Sequence, residues 1–233
     1  MIVTTHQPIF LPWPGFFYKA ACSDVMVLLD DVQYPRGRSW INRNRLKNEN
    51  GELSLTVPVW KRGRGLQRIR DVEIYNERGW RRKHLRGIEQ NYVHAPYFDT
   101  YLFLISAAYA KEDAQLATLN LRIIEFMWDA LSLPASPILQ SELGVTGGGT
   151  DLLIAICERL GADRYAVFPA GEKHIDTARL GAAGVGLEYI RFHPPVYPQL
   201  WGEFIYNLST LDLLMNCGPK AADILSAAGD SED

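Results

Sequence analysis

His6 and Gln7 follow a short apolar run, Ile2 to Thr5, and are trailed by Pro8, Pro12 and Pro14. Imidazole changes charge near neutral pH, so a His left at a strand end is a candidate proton carrier. Asp30 and Asp31 close a second apolar run, Val25 to Leu29. A carboxylate beside an imidazole fixes its tautomer and raises its basicity. The expected chemistry is therefore proton abstraction by His6, oriented by Asp30 or Asp31. The same three side chains are also a minimal donor set for Mg²⁺. In the plainer alternative His6 caps a turn and the two acids cap the loop to Tyr34.

Ser39-Trp40-Ile41-Asn42-Arg43-Asn44-Arg45 is the most specific local pattern. In an extended chain Asn42 and Asn44 share one face while Arg43 and Arg45 share the other. Arg presents a planar fork to phosphate or carboxylate, and Asn adds a donor and an acceptor. Together they are read as the grip on an anionic ligand such as a nucleotide diphosphate, with Gln7 and Gln33 as further substrate-binding candidates. Farther on, Trp80, His84, Ile88 and Asn91 fall along one stripe of an expected helix, bordered by Lys83. Lys83 and His84 are candidates to stabilise developing negative charge; the competing reading makes His84 a satisfied core histidine. His193-Pro194-Pro195-Val196-Tyr197-Pro198-Gln199 is a stiff loop that presents Tyr197 and Gln199 at little entropic cost, unless it is only a crossover.

The 233-residue chain has a net charge of −3, which hides an asymmetry. Between Arg36 and Arg86 stand 15 of the 24 Lys and Arg but only five acids, so that stretch is +10 and the remainder −13. Such a local positive field suits an anionic partner, although charge runs are often only solvated faces. Trp40, Trp60 and Trp80 among these bases make nucleic acid a second candidate anion. The overall pI near 6.0 argues against a general nucleic-acid binder.

The elements that position these residues alternate. A strand over 2–5, a helix over 15–22 and a strand over 25–29 form a βαβ unit, which implies a parallel sheet. Strands are expected at 53–59, 71–75, 138–143, 164–168 and 187–192. Helices are expected at 79–92, 101–111, 113–131, 151–160, 177–183, 209–217 and 220–228. The fold class is α/β: a mostly parallel sheet with a βαβ start, a helical insertion at about 79–132 and a second α/β stretch at the C-terminus. Residues 1–228 read as one domain and 229–233 as a frayed acidic tail.

No GxGxxG, P-loop, zinc pattern or GxSxG elbow is present, so no motif points to NAD, P-loop ATP or zinc, and the cofactor stays open. Gly147-Gly148-Gly149-Thr150-Asp151 fits either a flexible cap or an anion cradle, but it lacks the P-loop Lys. Cys22, Cys157 and Cys217 have no metal-type spacing and, being odd in number, cannot form a closed disulfide set. The longest nearly apolar run, Tyr101 to Ala110, is about half of what a bilayer span needs. With no signal-like N-terminus, a cytoplasmic protein is expected.

The ordered motifs HQPIFLPWPGFFYKA, DVMVLLDDVQY, INRNRLK, LTVPV, WRRKH, YVHAPYF, GGGTDLLIAICERLGADRY, HPPVYPQ and NLSTLDLLMNCG resemble the WbqC-like protein family of bacteria. The resemblance spans the chain from His6 to about Gly218. It departs at Val167-Phe168, where the family more often carries Ser-Gly. It implies a bacterial protein associated with O-antigen, other surface-polysaccharide or specialised-metabolite biosynthesis. Those pathways use nucleotide-activated sugars, which agrees with the basic segment. The expected activity is a transferase that places a small acyl or aminoacyl group, for instance glycyl, on the amine of a nucleotide-linked sugar or similar anionic metabolite. The alternatives are a non-catalytic binding or assembly protein of the same pathway and an aminoacyl-tRNA-dependent transferase.

Overall fold

The structure, a computed structural model, describes residues 1–134 and 136–229. Most of the acidic tail thus lies outside the described residues. In chain order the elements are β1 (Ile2–His6), α1 (Pro14–Ala21), β2 (Val25–Leu28), β3 (Arg43–Asn48) and β4 (Gly51–Thr56). Next come α2 (Trp80–Tyr92), α3 (Phe98–Ala110), α4 (Leu116–Ala130), β5 (Ile138–Leu139), α5 (Gln140–Leu143) and α6 (Gly149–Leu160). The chain then runs through β6 (Arg164–Val167), α7 (Thr177–Ala182), β7 (Gly186–Tyr189), α8 (Thr210–Cys217) and α9 (Ala221–Ser226).

The fold is α/β. Five strands form a parallel sheet in the order β5-β2-β1-β6-β7, with His6 opposite Leu28 and Val3 opposite Tyr165. Both faces are covered. Met26 and Leu28 pack with Phe16 and Phe17 of α1 and with the helical insertion. Val3, Val27, Tyr165 and Val167 pack instead with Leu152, Ile156 and Leu180 of α6 and α7. This two-sided burial is why β2 reads as a continuous apolar run rather than an alternating one. β1 leads leftward to β2 and β5, and the chain then returns to β6 on the other side of β1. The gap beyond the carboxyl ends of β1 and β6 is therefore a topological switch point, where open parallel sheets bind ligands.

Two expected strands differ, and one strand forms where none is expected. Residues 71–75 form no strand: Ile69–Asp71 is a 3-10 turn, and Glu73 and Ile74 make only isolated bridges to Gln115 and Val59. The strand expected over 138–143 stops after two residues, because Gln140 begins α5. The polar stretch before Gly51 carries β3, paired antiparallel with β4 through a tight turn at Glu49 and Asn50. Gly51 at φ 116° occupies backbone space that other residues disfavour.

The hairpin is held to the segment that follows β1 by two buried asparagines. Asn44 Nδ2 donates to the carbonyls of Phe10 (3.1 Å) and Leu11 (2.7 Å). Asn120 Nδ2 donates to those of Pro8 (2.8 Å) and Ile41 (2.7 Å). Leu11 sits at φ 45°, a strained value for a branched side chain, and the Asn44 bond helps hold it there. The segment that carries His6 and Gln7 out of the sheet is thus fixed on both sides.

Candidate binding site at the strand ends

A cavity of about 480 Å³ opens at the switch point, within the size range of small-molecule sites. His6, Gln7, Ile9 and Trp13 form its sheet side, and Arg38, Trp40, Asn44 and Arg45 form the hairpin side, with Asn207 at the rim. Trp13 is wedged at the top of β6: its ring lies 5.9 Å from Phe168 and 5.4 Å from Phe192. No other side chain fits beneath it, because a Cβ on Gly15 would lie 2.2 Å from the Trp13 ring.

His6 Nδ1 lies 2.8 Å from the Gln7 carbonyl. A carbonyl only accepts, so Nδ1 carries the proton and Nε2 is left with its lone pair. Burial, and then the charge of Lys19, push the imidazole pKa down to about 4, against the opposing Gln7 contact. His6 is thus neutral throughout the physiological range. Its ring is set edge-on against Phe16 at 4.8 Å.

The structure does not pair His6 with the acids. Asp30 is buried and accepts from the Ser141 N–H (3.0 Å) and hydroxyl (2.6 Å), stabilising the first turn of α5. Asp31 takes Arg68 at 2.8 and 3.1 Å and Arg70 at 2.9 Å, tying the 61–70 loop to the end of β2. The orienting group for His6 is the Gln7 carbonyl. Among the described residues no cluster of three or more His, Cys, Asp or Glu is placed to hold a metal ion.

The matched family model and one relative bear on identity. The model described as the WbqC-like protein family matches residues 7–224. The chain belongs to the WbqC-like protein family. This WbqC-like protein is also 31% identical over 225 residues to "Uncharacterized protein Rv1507c" of Mycobacterium tuberculosis, a match that covers 96% of each chain. No solved structure matches.

In this WbqC-like protein the Asn/Arg alternation is real, but its two faces have different tasks. Asn42 accepts from the Tyr34 hydroxyl (2.9 Å) and donates to the Val57 carbonyl (2.9 Å), so its amide is spent inside the hairpin. Asn44 lines the cavity, yet its donors serve Phe10 and Leu11 and its oxygen accepts from the Arg45 N–H. Arg43 and Arg45, both partly buried, pair with Thr56 and Ser54, and Arg45 lines the cavity. Gln33 is exposed and bridges to Arg68.

Neither His84 nor Lys83 lines the cavity. His84 is buried between α2, β4 and α3: the Thr56 N–H donates to Nε2 at 3.2 Å, and Nδ1 faces the Tyr109 hydroxyl at 3.2 Å. Burial pushes its pKa down to about 4. It is a satisfied core histidine, as the apolar stripe of α2 requires. Lys83 lies exposed on the same helix.

Tyr197 is buried as well, its hydroxyl donating to Asp212 Oδ2 at 2.8 Å. Gln199 closes a loop with both backbone groups of Ile205, at 2.9 and 3.0 Å. These two shape the segment that ends at Asn207 rather than presenting side chains to the cavity.

Two contributors are hard to find from sequence. Lys19, buried in α1, donates to the Thr5 carbonyl at 3.0 Å, and burial pushes its pKa down to about 8. Its ammonium also lies 5.8 Å from the Phe168 ring, so Phe168 packs beside the site although the Val167-Phe168 pair departs from the expected motif. Arg38 on the hairpin side had only its charge as a signal.

Proposed function

We propose that this WbqC-like protein is a transferase that places a small acyl or aminoacyl group, such as glycyl, on the amine of a nucleotide-linked sugar or similar anionic metabolite. The reaction serves surface-glycan or specialised-metabolite biosynthesis. The observation that carries this reading is a neutral His6 with a free Nε2, set in a cavity whose opposite wall bears arginines. The acceptor amine attacks the carbonyl carbon of an activated acyl donor, such as an ester or thioester. As the C–N bond forms, the amine proton becomes strongly acidic and passes to His6 Nε2, and the donor's oxygen or sulfur leaves with the electron pair. The proton then returns to that leaving group. A weakly basic imidazole suffices, because it must take a proton only from the adduct and not from the free amine. Arg43 and Arg45 hold the anionic part of the acceptor, and Trp13 and Ile9 keep water from the reacting centre.

A thermal-shift screen of the purified protein against nucleotides, nucleotide-sugars, coenzyme A and tRNA tests the ligand class. A nucleotide-sugar is expected to raise the melting temperature, and the effect to vanish when Arg43 and Arg45 are both changed to Gln. With that ligand as acceptor, His6→Ala is expected to lower kcat by about 10²–10⁴-fold with KM little changed. Equal loss of turnover and affinity would remove His6 as the base. The exposed Arg82, Lys83 and Arg86 on α2 have no side-chain partners among the described residues and favour a second reading, a tRNA-borne aminoacyl donor. Strongly salt-dependent tRNA binding separates it from a free acyl donor.

A further inference from the structure

A second compartment of about 250 Å³ adjoins the cavity and shares Arg38, Trp40 and Arg45 with it. Its own walls add Arg43 from β3 and Glu52 and Ser54 from β4. Three guanidinium groups therefore face one carboxylate. The side chains of Arg38 and Arg43 have no hydrogen-bond or ion-pair partner among the described residues. Arg45 is only partly occupied: Nη1 contacts Glu52 at 2.5 Å, Nη2 reaches the Asn207 carbonyl at 3.4 Å, and the buried Nε–H has no partner. A buried donor without an acceptor is costly, and an arginine fork is fully used by a planar or tetrahedral oxyanion.

We infer that this compartment seats the diphosphate of a bipartite ligand whose amine end lies at His6, and that Glu52 is an internal stand-in which the diphosphate displaces from Arg45. The inference deepens the transferase reading and rests on it for the position of the amine. The diphosphate is favoured over a single carboxylate by charge, since one anionic oxygen pair cannot answer three cations. It also leaves Glu52 repelled and free to swing into solvent from its partly exposed position on β4. An ion pair this exposed holds weakly enough to be exchanged. Trp40, with 53% of its surface exposed and the Arg45 guanidinium 5.8 Å from its ring centroid, stands on the wall common to both compartments and offers a stacking surface to a planar base.

Calorimetric titration of the full chain with inorganic pyrophosphate, citrate and uridine diphosphate tests the assignment. Pyrophosphate is expected to bind and citrate to bind more weakly. Glu52→Gln, which keeps the shape and removes the repulsion, is expected to tighten pyrophosphate by about tenfold, and Arg43→Gln to weaken it by at least about tenfold. Uridine diphosphate is expected to bind more tightly than pyrophosphate, an advantage that Trp40→Ala removes. His6→Ala leaves pyrophosphate binding unchanged. A melting curve checks each variant, and if Arg43→Gln does not fold, Arg43→Lys takes its place, keeping the charge and losing the fork. Unchanged or weaker pyrophosphate binding in Glu52→Gln overturns the inference, as does the absence of binding to both wild type and that variant. If these anion effects hold but no acyl transfer to a nucleotide-sugar is seen, the transferase reading falls and the diphosphate seat stands; turnover that survives His6→Ala removes only His6 as the base. If turnover needs His6 but Glu52 and Arg43 do not affect pyrophosphate, the reverse is true.

Discussion

Lys19 and His6 converge on the carboxyl end of β1: the Lys19 ammonium donates to the carbonyl of Thr5, the residue before His6, at 3.0 Å. No carboxylate forms an ion pair with Lys19 among the described residues, so its charge acts on the imidazole unscreened by an anion. A cation beside an imidazole disfavours the imidazolium, and burial acts in the same direction. The sheet end is thus arranged to keep His6 a neutral acceptor.

Lys19→Met tests that arrangement. The thioether fills similar space without charge, so the His6 titration midpoint is expected to rise from about 4. It should stay below the ordinary 6.5, because burial is the larger cause. Histidine ring resonances followed by NMR across pH give the answer. A midpoint that does not move would mean that Lys19 exerts no field on His6.

Stability should fall on mild acidification. His6 and His84 both have folded pKa values near 4, against 6.5 in the unfolded chain. Between about pH 4 and 6.5 the unfolded chain therefore binds more protons, so unfolding free energy rises with pH there and is lost as pH drops through the window. A shift of that size is worth on the order of 3 kcal/mol for each histidine. Denaturant midpoints at pH 7 and pH 4.5 measure the loss, and His84→Gln should reduce the slope. A flat profile in the wild type would contradict the burial of both rings.

Gly15→Ala is expected to damage the cavity without touching a polar group. The added methyl would sit 2.2 Å from the Trp13 ring, which has to leave its place between Gly15 and the Phe168–Phe192 pair. Overpacking of this kind costs about 1–3 kcal/mol. The melting temperature should fall modestly, and binding of any cavity ligand should weaken more than the fold does. Normal affinity in this variant would remove Trp13 from the site.

What the sequence makes legible follows from local chemistry. The alternation of Asn42, Arg43, Asn44 and Arg45 correctly places the arginines on one face, since strand geometry is local. It cannot show that the asparagines face carbonyls of Phe10, Leu11 and Val57, because those partners are distant in the chain. The stripe containing His84 is equally legible, and its apolar companions already argue for the core. The βαβ start implies a parallel sheet, whereas the strand order is hidden: β5 has only two residues and joins the sheet after an insertion of more than a hundred. Asp30 and Asp31 emerge at the expected edge, but which of the nearby donors captures them depends on Ser141, Arg68 and Arg70.

Asp212 is the last of these long-range ties and the most severe to break. Its fully buried carboxylate accepts from Tyr92 at 2.5 Å and Tyr197 at 2.8 Å, with the charge of buried Lys47 nearby. Tyr92 also accepts the Lys47 backbone N–H at 2.7 Å, so α2, β3 and α8 meet at this one side chain. Asp212→Asn keeps the shape but removes the charge and turns one acceptor into a donor facing a hydroxyl, at a cost of about 3 kcal/mol. The segment from Tyr197 to Asn207 should suffer before the sheet does. It has no regular structure, holds Trp201 at φ 61° and Asn207 at φ 56°, and is tied down by Tyr197, by Gln199 and by Lys47 Nζ on the Glu203 carbonyl. Hydrogen exchange is expected to accelerate in residues 197–207 while β1, β2 and β6 stay protected. Because Asn207 borders the cavity, ligand affinity should fall in parallel. Uniform loss of protection across sheet and segment would instead make Asp212 a support of the whole fold with no special hold on the cavity wall.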